Sequence, residues 1–335
     1  MSSRIYTVTL NPAIDHTVSL DTLVPGAVHR ARGQQIEAGG KGVGVASVLA
    51  GLGVPVTASG WLGADNDALF TTAFAARGID DAMVRVPGRT RTNIKLADAQ
   101  RGDTTDINLP GVNLDAAAYK AAEQSLLAVL EDRVQPGDWC ELAGSLPPGG
   151  HVSTWLTLAQ RLHARGAALA VDVAGATLRD VLDGWAAAVG AGTGPALIKP
   201  NRAELEELVG HALPDTASLA AAARQLLARG VQRVIVSLGG DGALLCDAQG
   251  CWLATPPRVP VATTVGAGDA LVAGTLAALR DGQTLTQAGV FGMACAAARI
   301  QRIEPSLPPL ADVLALAARI QPQACLLYTS DAADE

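Results

Sequence analysis

Strand-like runs of apolar and β-branched residues alternate with runs of helical periodicity along most of this chain. Such alternation is typical of β-α-β units, in which each helix returns the chain so that successive strands run parallel. We therefore predict an α/β fold, a three-layer α/β/α sandwich around a mostly parallel sheet. Strands are predicted at 4–10, 54–62, 138–143, 168–173, 196–198 and 233–238, and helices at 42–52, 67–77, 116–130, 154–165, 202–209, 219–229, 270–280, 285–302 and 310–320.

Two stretches interrupt this alternation. Residues 17–37 and 84–109 are richer in strand-forming and turn residues and more polar than their surroundings. We predict that their strands leave the main sheet and form a small β-sheet lid, as mobile covers over ligand sites often do. Residues 323–335 follow neither period, so we predict one domain at 1–322 and a tail that is not part of the fold.

Composition excludes several classes of partner. The 335 residues carry a net charge of −7 without a basic run, which argues against nucleic acid. No apolar stretch reaches transmembrane length, which argues against a membrane. The cysteines are odd in number and lack zinc or redox spacing, so we expect reduced, mostly buried thiols in a cytoplasmic protein. They are Cys140, Cys246, Cys251, Cys295 and Cys325.

The segment Val265-Gly266-Ala267-Gly268-Asp269 stands directly before an apolar helical run. Glycines at a helix N-terminus let backbone N–H groups turn toward an anion, and the helix dipole adds positive potential. An aspartate in that place is expected if it takes a proton while the N–H groups stabilise charge on a transferring phosphoryl group. A helix N-cap after a glycine turn explains the same residues.

Further segments also allow both a functional and a structural interpretation. Asp15 follows the first strand, where it could bind sugar hydroxyls or form a turn. Lys41 lies in a glycine-rich helix entrance, which could contact a polar ligand or be merely flexible. Alternation places four polar side chains on one face of a lid strand, which suits a phosphate-bearing substrate or a solvated face. They are Arg89, Arg91, Asn93 and Lys95.

Two segments could contact a nucleotide. Asn201 and Glu204 are three residues apart at a helix start, where they could hold water around Mg²⁺–nucleotide or form a capping box. The segment 237–242 is a strand followed by a glycine turn, which could lie over an adenine or its phosphates. A hairpin leading to 243–246 explains that segment as well.

Taken together, these segments resemble the ribokinase-like carbohydrate kinases, the PfkB family, from about residue 4 to residue 316. The motifs that carry the resemblance occur in the family's order, and the lid motif with residues 105–108 leans toward the branch that acts on fructose 1-phosphate. They are TLNPAID at 9–15, AGGKG at 38–42, GRTRTNIKL at 88–96, GSLPPG at 144–149, KPNRAELE at 199–206, SLGGDGALL at 237–245 and TVGAGDALVAG at 264–274.

The resemblance implies ATP-dependent phosphorylation of fructose 1-phosphate at its C6 hydroxyl. It implies Asp269 as general base and Gly266, Ala267 and Gly268 as the anion hole, and lids of this type often pair two copies into a homodimer. The residues implied to bind the phosphosugar are Asp15, Gly39, Gly40, Lys41, Arg91 and Lys95. Those implied to bind ATP are Lys199, Asn201, Glu204, Ser237, Gly239, Gly242, Thr264 and Val265, with Asn201 and Glu204 also holding Mg²⁺ through water.

One residue departs from the family pattern. Gly44 stands where the family usually carries an asparagine that touches substrate hydroxyls. Losing one hydrogen bond costs about 0.5–1.5 kcal/mol, so we expect altered sugar affinity or preference. Two alternatives stay open: a sister kinase acting on fructose 6-phosphate or tagatose 6-phosphate, and a non-catalytic sugar-phosphate sensor on the same fold.

Overall fold

The computed structural model describes residues 3–173, 175–304 and 306–325. The strands are β1 (Ile5–Thr9), β2 (Ala13–Leu20), β3 (Gly33–Gly39), β4 (Val56–Gly63), β5 (Asp80–Val86), β6 (Arg91–Asp98), β7 (Asp103–Ile107), β8 (Trp139–Ala143), β9 (Ala168–Asp172), β10 (Leu197–Ile198), β11 (Arg233–Ser237), β12 (Ala243–Asp247), β13 (Gly250–Ala254) and β14 (Gln323–Ala324). The helices are α1 (Lys41–Gly51), α2 (Ala68–Arg77), α3 (Ala116–Arg133), α4 (Val152–Ala164), α5 (Gly175–Ala188), α6 (Arg202–Val209), α7 (Thr216–Ala228), α8 (Ala267–Arg280), α9 (Leu285–Arg299) and α10 (Leu310–Ala317).

The main sheet of the described residues has ten strands, in the order β14-β13-β12-β11-β10-β9-β8-β1-β4-β5. The strands from β11 to β5 pair in parallel, and β12, β13 and β14 add an antiparallel edge. Parallel strands are buried on both faces, which explains why β1, β4 and β8 are buried at every position. The alternation therefore predicted the fold class correctly.

Helices cover both faces of this sheet and bury a separate apolar cluster on each. Helices α1, α2, α8, α9 and α10 contribute to one cluster. Helices α3 to α7 contribute to the other. This is the predicted α/β/α sandwich. Among the described residues, none of the helices combines the length and apolar character that a membrane crossing requires.

A separate four-stranded sheet, in the order β3-β2-β6-β7, forms the lid. It is mixed, because β2 pairs in parallel with β6 while the two outer pairs are antiparallel. Its ladder places Asp15 beside Glu37 and Asn93, with Lys95 two positions further along the same face. The opposite face carries a row that crosses all four strands, with isoleucines at Ile36, Ile94 and Ile107 and a polar residue, His16, on β2.

The structure differs from the predicted elements in several places. Strand β5 belongs to the main sheet, so the second lid stretch begins at β6, and the first begins at 13 rather than 17. Helix α5 lies where no element was predicted, and α9 ends at Arg299. At the start of the predicted tail, β14 pairs with β13, and residues 326–335 lie outside the described residues.

The expectation of reduced cysteines holds only in part. Cys246 and Cys251 face each other across β12 and β13 and are joined by a disulfide, with 4.2 Å between their Cα atoms. Cross-strand partners come this close in antiparallel pairs, which a search for metal or redox spacing overlooks. Cys140 and Cys295 are buried free thiols, and Cys325 is partly exposed.

Candidate active site

A cavity of about 350 Å³ lies between the polar face of the lid and the first turns of α1 and α8. It lies beyond the carboxyl ends of the strands around β1. From β1 the chain order runs outward in two opposite directions, through β4 on one side and through β8 on the other, so the direction of strand addition reverses at β1. Open parallel sheets bind ligands at such a reversal. The predicted site residues that line the cavity are Asp15, Gly39, Gly40, Lys41, Arg91, Lys95, Val265, Gly266 and Asp269.

Helix α8 begins at this cavity. Its N-cap, Gly266, adopts a φ of 79°, which favours glycine, and Asp269 lies in the first turn. The N–H of Ala267 donates to Thr264 O at 3.3 Å, whereas those of Gly268 and Asp269 donate to no backbone carbonyl of the described residues. Burial and the nearby Asp172 raise the pKa of Asp269 to about 7, against the opposing effect of three lysines. A carboxyl with this pKa can accept a proton near neutral pH.

Asp172, at the end of β9, was not singled out from the sequence. Its Oδ1 accepts a hydrogen bond from Lys41 Nζ at 3.1 Å and lies 3.6 Å from Lys199 Nζ. Burial acts to raise the pKa of this carboxyl, but the two lysines outweigh it and lower the pKa. Lys41 experiences the reverse: burial acts to lower its pKa, while Asp172, Glu204 and Asp269 raise it. The Asp172 carboxyl thereby links Lys41, which lines the cavity, to the buried Lys199.

Glu141 in β8 is fully buried beside this group. Neither of its carboxyl oxygens has a hydrogen-bond partner in the described part of the chain. Burial, Asp172 and Asp269 all raise its pKa well above the usual range. The sequence signal was present, since a single acidic residue interrupts a fully apolar strand.

The lid wall carries a different set of charges. Lys95 Nζ donates to Asp15 Oδ2 at 2.9 Å, and Asp15 packs against Gly39 so closely that a Cβ there would overlap its carboxyl group. Arg91 donates to the backbone oxygens of Asn11, Pro12 and Leu109 at 3.0 to 3.4 Å. Its guanidinium therefore holds the loops on both sides of the lid strand while it lines the cavity. Arg89 lies outside β6 and is exposed.

The predicted nucleotide residues meet at the next strand ends. Asn201 caps α6 and forms a capping box with Glu204, in which Glu204 Oε2 accepts the Asn201 N–H at 2.8 Å. A bridge joins Asn201 to Ser237, and a short 3-10 turn at Gly239–Asp241 follows. Gly242 has a φ of 106° and approaches the backbone of Ala254, so glycine is required there. Both segments therefore have the structures that were predicted as alternatives to a nucleotide site, a capping box and a hairpin. The bridge brings the two segments together, and neither structure excludes a ligand.

Gly44 lies within α1, and its φ is outside the left-handed region. A Cβ at this position would overlap Asp269 Oδ2 and lie 3.0 Å from Asp269 Cγ. The Asp269 carboxyl group therefore occupies the space that a side chain at position 44 requires. Gly44 therefore leaves room for Asp269. The altered sugar contact expected from the sequence stays a prediction.

The family model described as pfkB family carbohydrate kinase matches residues 8–311 of the chain. The chain belongs to the pfkB family of carbohydrate kinases. Among curated pfkB proteins, it is 46% identical to a 1-phosphofructokinase of Xanthomonas campestris over 85% of this chain and 86% of that protein. It is 42% identical to a 1-phosphofructokinase of Rhodobacter capsulatus over 95% of this chain and 96% of that protein.

Solved structures of pfkB kinases have the same fold. The phosphofructokinase-2 of Escherichia coli in complex with substrates and products superposes with a TM-score of 0.85 and 28% identity, covering 94% of this chain and 99% of that one. These comparisons bear out the predicted family and the α/β fold with its lid sheet.

Proposed function

We propose that this enzyme transfers the γ-phosphoryl group of ATP to the C6 hydroxyl of fructose 1-phosphate and releases fructose 1,6-bisphosphate. The observation that carries the proposal is the position of Asp269, a proton acceptor with a pKa of about 7 beside the N–H groups that begin α8. The curated relatives, named as 1-phosphofructokinases, support the substrate.

The reaction uses both walls of the cavity. The C6 oxygen forms a bond to the γ-phosphorus while the bond from that phosphorus to the β–γ bridging oxygen breaks, and ADP leaves with the electron pair. Asp269 accepts the hydroxyl proton, and the Gly266–Gly268 N–H groups stabilise the transferring phosphoryl group. Lys95 and Arg91 on the lid attract the phosphate that the sugar already carries, and Asp15, Gly39, Gly40 and Lys41 contact the sugar.

ATP lies on the side of Lys199, Asn201 and Ser237, with Gly239, Gly242, Thr264 and Val265 around the nucleotide. Asn201 and Glu204 offer oxygen atoms that fit Mg²⁺ bound through water, which is how this ion usually binds in proteins. The Glu204 charge acts on Lys41, so its carboxylate belongs to the electrostatic field of the cavity. When bound, Mg²⁺ neutralises charge on the nucleotide phosphates.

A panel of phosphoryl acceptors tests this proposal. The ratio kcat/KM is measured with ATP and each of fructose 1-phosphate, fructose 6-phosphate and tagatose 6-phosphate, with competition between pairs of acceptors. We expect the highest ratio for fructose 1-phosphate. A higher ratio for either other sugar identifies the enzyme as a sister hexose-phosphate kinase. If none of the three sugars is phosphorylated although the protein still binds them, the result favours a non-catalytic sugar-phosphate sensor.

We also propose that two copies pair through the lid. The face of the lid that points away from the cavity carries Ile36 and Ile107, which are 49% and 43% exposed. Pairing would cover these two isoleucines, and the variant with both changed to serine should be monomeric in light scattering. A cytoplasmic location suits the enzyme, because ATP and sugar phosphates are cytoplasmic metabolites.

A further inference from the structure

Arg299, the last residue of α9, is a buried charge that the proposed reaction has not yet used. It is only 5% exposed although it lines the same cavity as Asp269 and Gly266. Among the described residues it forms no salt bridge. A buried guanidinium without an anion in direct contact is costly, so an anion that enters the cavity would improve its environment.

The packing of two helices brings Arg299 to this place. Helices α8 and α9 are joined by a short turn, and Gly274 and Gly292 lie where they meet. A Cβ on Gly274 would lie 2.7 Å from Cys295 Sγ and 2.8 Å from Gly292 Cα, so the helices approach very closely. As a result, the last turn of α9 lies beside the first turn of α8.

Hydrogen bonds then fix the guanidinium against the anion hole. Nη1 of Arg299 donates to Arg302 O at 2.6 Å. The N–H groups of Ala262 and Thr263 both donate to Ile300 O, which ties the segment before the anion hole to the end of α9. A Cβ on Gly266 would lie 3.3 Å from Arg299 Nε. The guanidinium therefore packs against Gly266.

A second cation lies near the hole, because a Cβ on Gly268 would lie 3.9 Å from Lys199 Nζ. Lys199 and Arg299 thus both lie close to the N–H groups that begin α8. The acidic groups whose charge acts on Arg299 are Glu37, Asp269 and Glu304, which keep it from being isolated in the free enzyme. The lid cations lie on β6, across the cavity from this pair.

We propose that Arg299 is a catalytic residue that contacts the transferring phosphoryl group and stabilises the charge on its oxygens. The inference rests on the proposed phosphoryl transfer and adds a cation to it. Bonds form and break as described above, and the proton still goes to Asp269. Arg299 itself neither gains nor loses a proton.

The test compares Arg299→Gln, Arg299→Lys and Arg299→Ala with Arg302→Gln, an exposed arginine three residues further along the chain. The kcat and both KM values are measured with the acceptor that the wild-type enzyme uses fastest. ATP hydrolysis without an acceptor is measured in parallel, so the result does not depend on which sugar is correct. Thermal melting reports on folding.

We expect Arg299→Gln to lower kcat by about 100-fold, as loss of one donor to a developing anion does. Hydrolysis should fall in parallel, KM values should change little, and added guanidinium ion should restore part of the rate in Arg299→Ala. Arg302→Gln should match the wild type. If Arg299→Gln does not fold, a lowered kcat in a folded Arg299→Lys variant supports the same conclusion.

Three outcomes would overturn the proposal. A raised KM for the phosphosugar at unchanged kcat would show that Arg299 binds the sugar's own phosphate. A lowered melting temperature at unchanged kcat would show that it only caps α9. A rate that guanidinium ion fails to restore in a folded Arg299→Ala variant would show that the charge is not what the reaction uses.

Discussion

The two walls of the cavity differ in how they hold charge. On the wall formed by the main sheet and α8, the pKa values of three carboxyls are shifted: burial and neighbouring carboxylates raise those of Asp269 and Glu141, whereas Lys199 and Lys41 lower that of Asp172. On the lid wall, Lys95 and Asp15 form an ion pair whose side chains are 14% and 22% exposed. The sheet wall is therefore suited to moving a proton, and the lid wall to recognising a charged substrate.

The difference follows from how each wall is built. The sheet wall stands on strands that are buried on both faces, so a charge there has few water molecules and depends on its neighbours. The lid is a single sheet with one face toward the cavity and the other exposed, and water reaches its charges. Changes on the sheet wall should accordingly affect kcat, and changes on the lid should affect the KM of the phosphosugar.

The largest effect is expected for Asp269→Asn. The amide cannot accept the hydroxyl proton, so kcat should fall by about 10²- to 10⁴-fold. ATP binding and folding should be retained, as judged by calorimetry and melting. The exposed Asp312→Asn in α10 is the control. Near-normal turnover in the Asp269→Asn variant would place the proton acceptor elsewhere.

For Gly44→Ala we expect a somewhat smaller decrease in kcat. The added Cβ overlaps the Asp269 carboxyl, which has to move, and misplacement of a reacting group by about 1 Å can cost about 10²-fold in rate. Gly51→Ala in the same helix is the matched control, because nothing lies within 4 Å of its Cβ position. Gly44→Asn extends the test: a lower KM for a phosphosugar with unchanged kcat would restore the contact expected from the sequence and contradict the steric account.

On the lid, Lys95→Met should raise the KM of the phosphosugar by about 10- to 100-fold, the equivalent of one hydrogen bond to a charged group. The kcat and the KM of ATP should change far less. Lys95 is a cleaner probe than Arg91, whose guanidinium also holds three backbone oxygens. Lys120→Met on the exposed side of α3 serves as control. Equal effects on the two KM values would contradict the division between the walls.

The smallest effect concerns stability. Because the pKa of Glu141 is raised in the folded chain, folding takes up a proton above the ordinary glutamate pKa, and the wild type loses stability as pH rises from there. Glu141→Gln removes this dependence, so the variant should exceed the wild type in melting temperature at pH 8 by more than at pH 5. The partly exposed Glu123→Gln controls for the substitution. If the difference in melting temperature between Glu141→Gln and the wild type were the same at pH 5 and pH 8, the raised pKa of Glu141 would be contradicted.

Much of the fold was predictable because the period of apolar residues reflects local structure. The helix α5 was missed although Leu178, Val181, Leu182 and Trp185 are all buried at helical spacing, so its signal was available. The last three residues of β5 were assigned to the lid stretch, because the pairing of β5 with β4 is a tertiary contact that the local sequence does not show. The disulfide likewise depends on a hairpin register that the sequence does not display.

Residues that line the cavity could be picked out from the sequence where they form motifs, as around Asp269. Asp172 could not be found in this way, because its importance comes from Lys41 and Lys199, which reach it from distant parts of the chain. Arg299 ends an ordinary apolar helix, and only the close contact of α8 and α9 brings it to the anion hole. Residues of this kind become visible when the packing is known.

The central claim is that the Asp269 carboxyl, at the start of α8, accepts the proton during phosphoryl transfer. The pH dependence of the single-turnover rate with ATP and fructose 1-phosphate tests it most directly. Because the pKa of Asp269 is about 7, the rate should fall about tenfold per pH unit below that value and level off above it. Asp269→Asn should keep only the weaker dependence that comes from the substrate phosphate, which ionises near pH 6. A wild-type rate that is the same on both sides of pH 7, or a variant with the wild-type profile, would contradict the account.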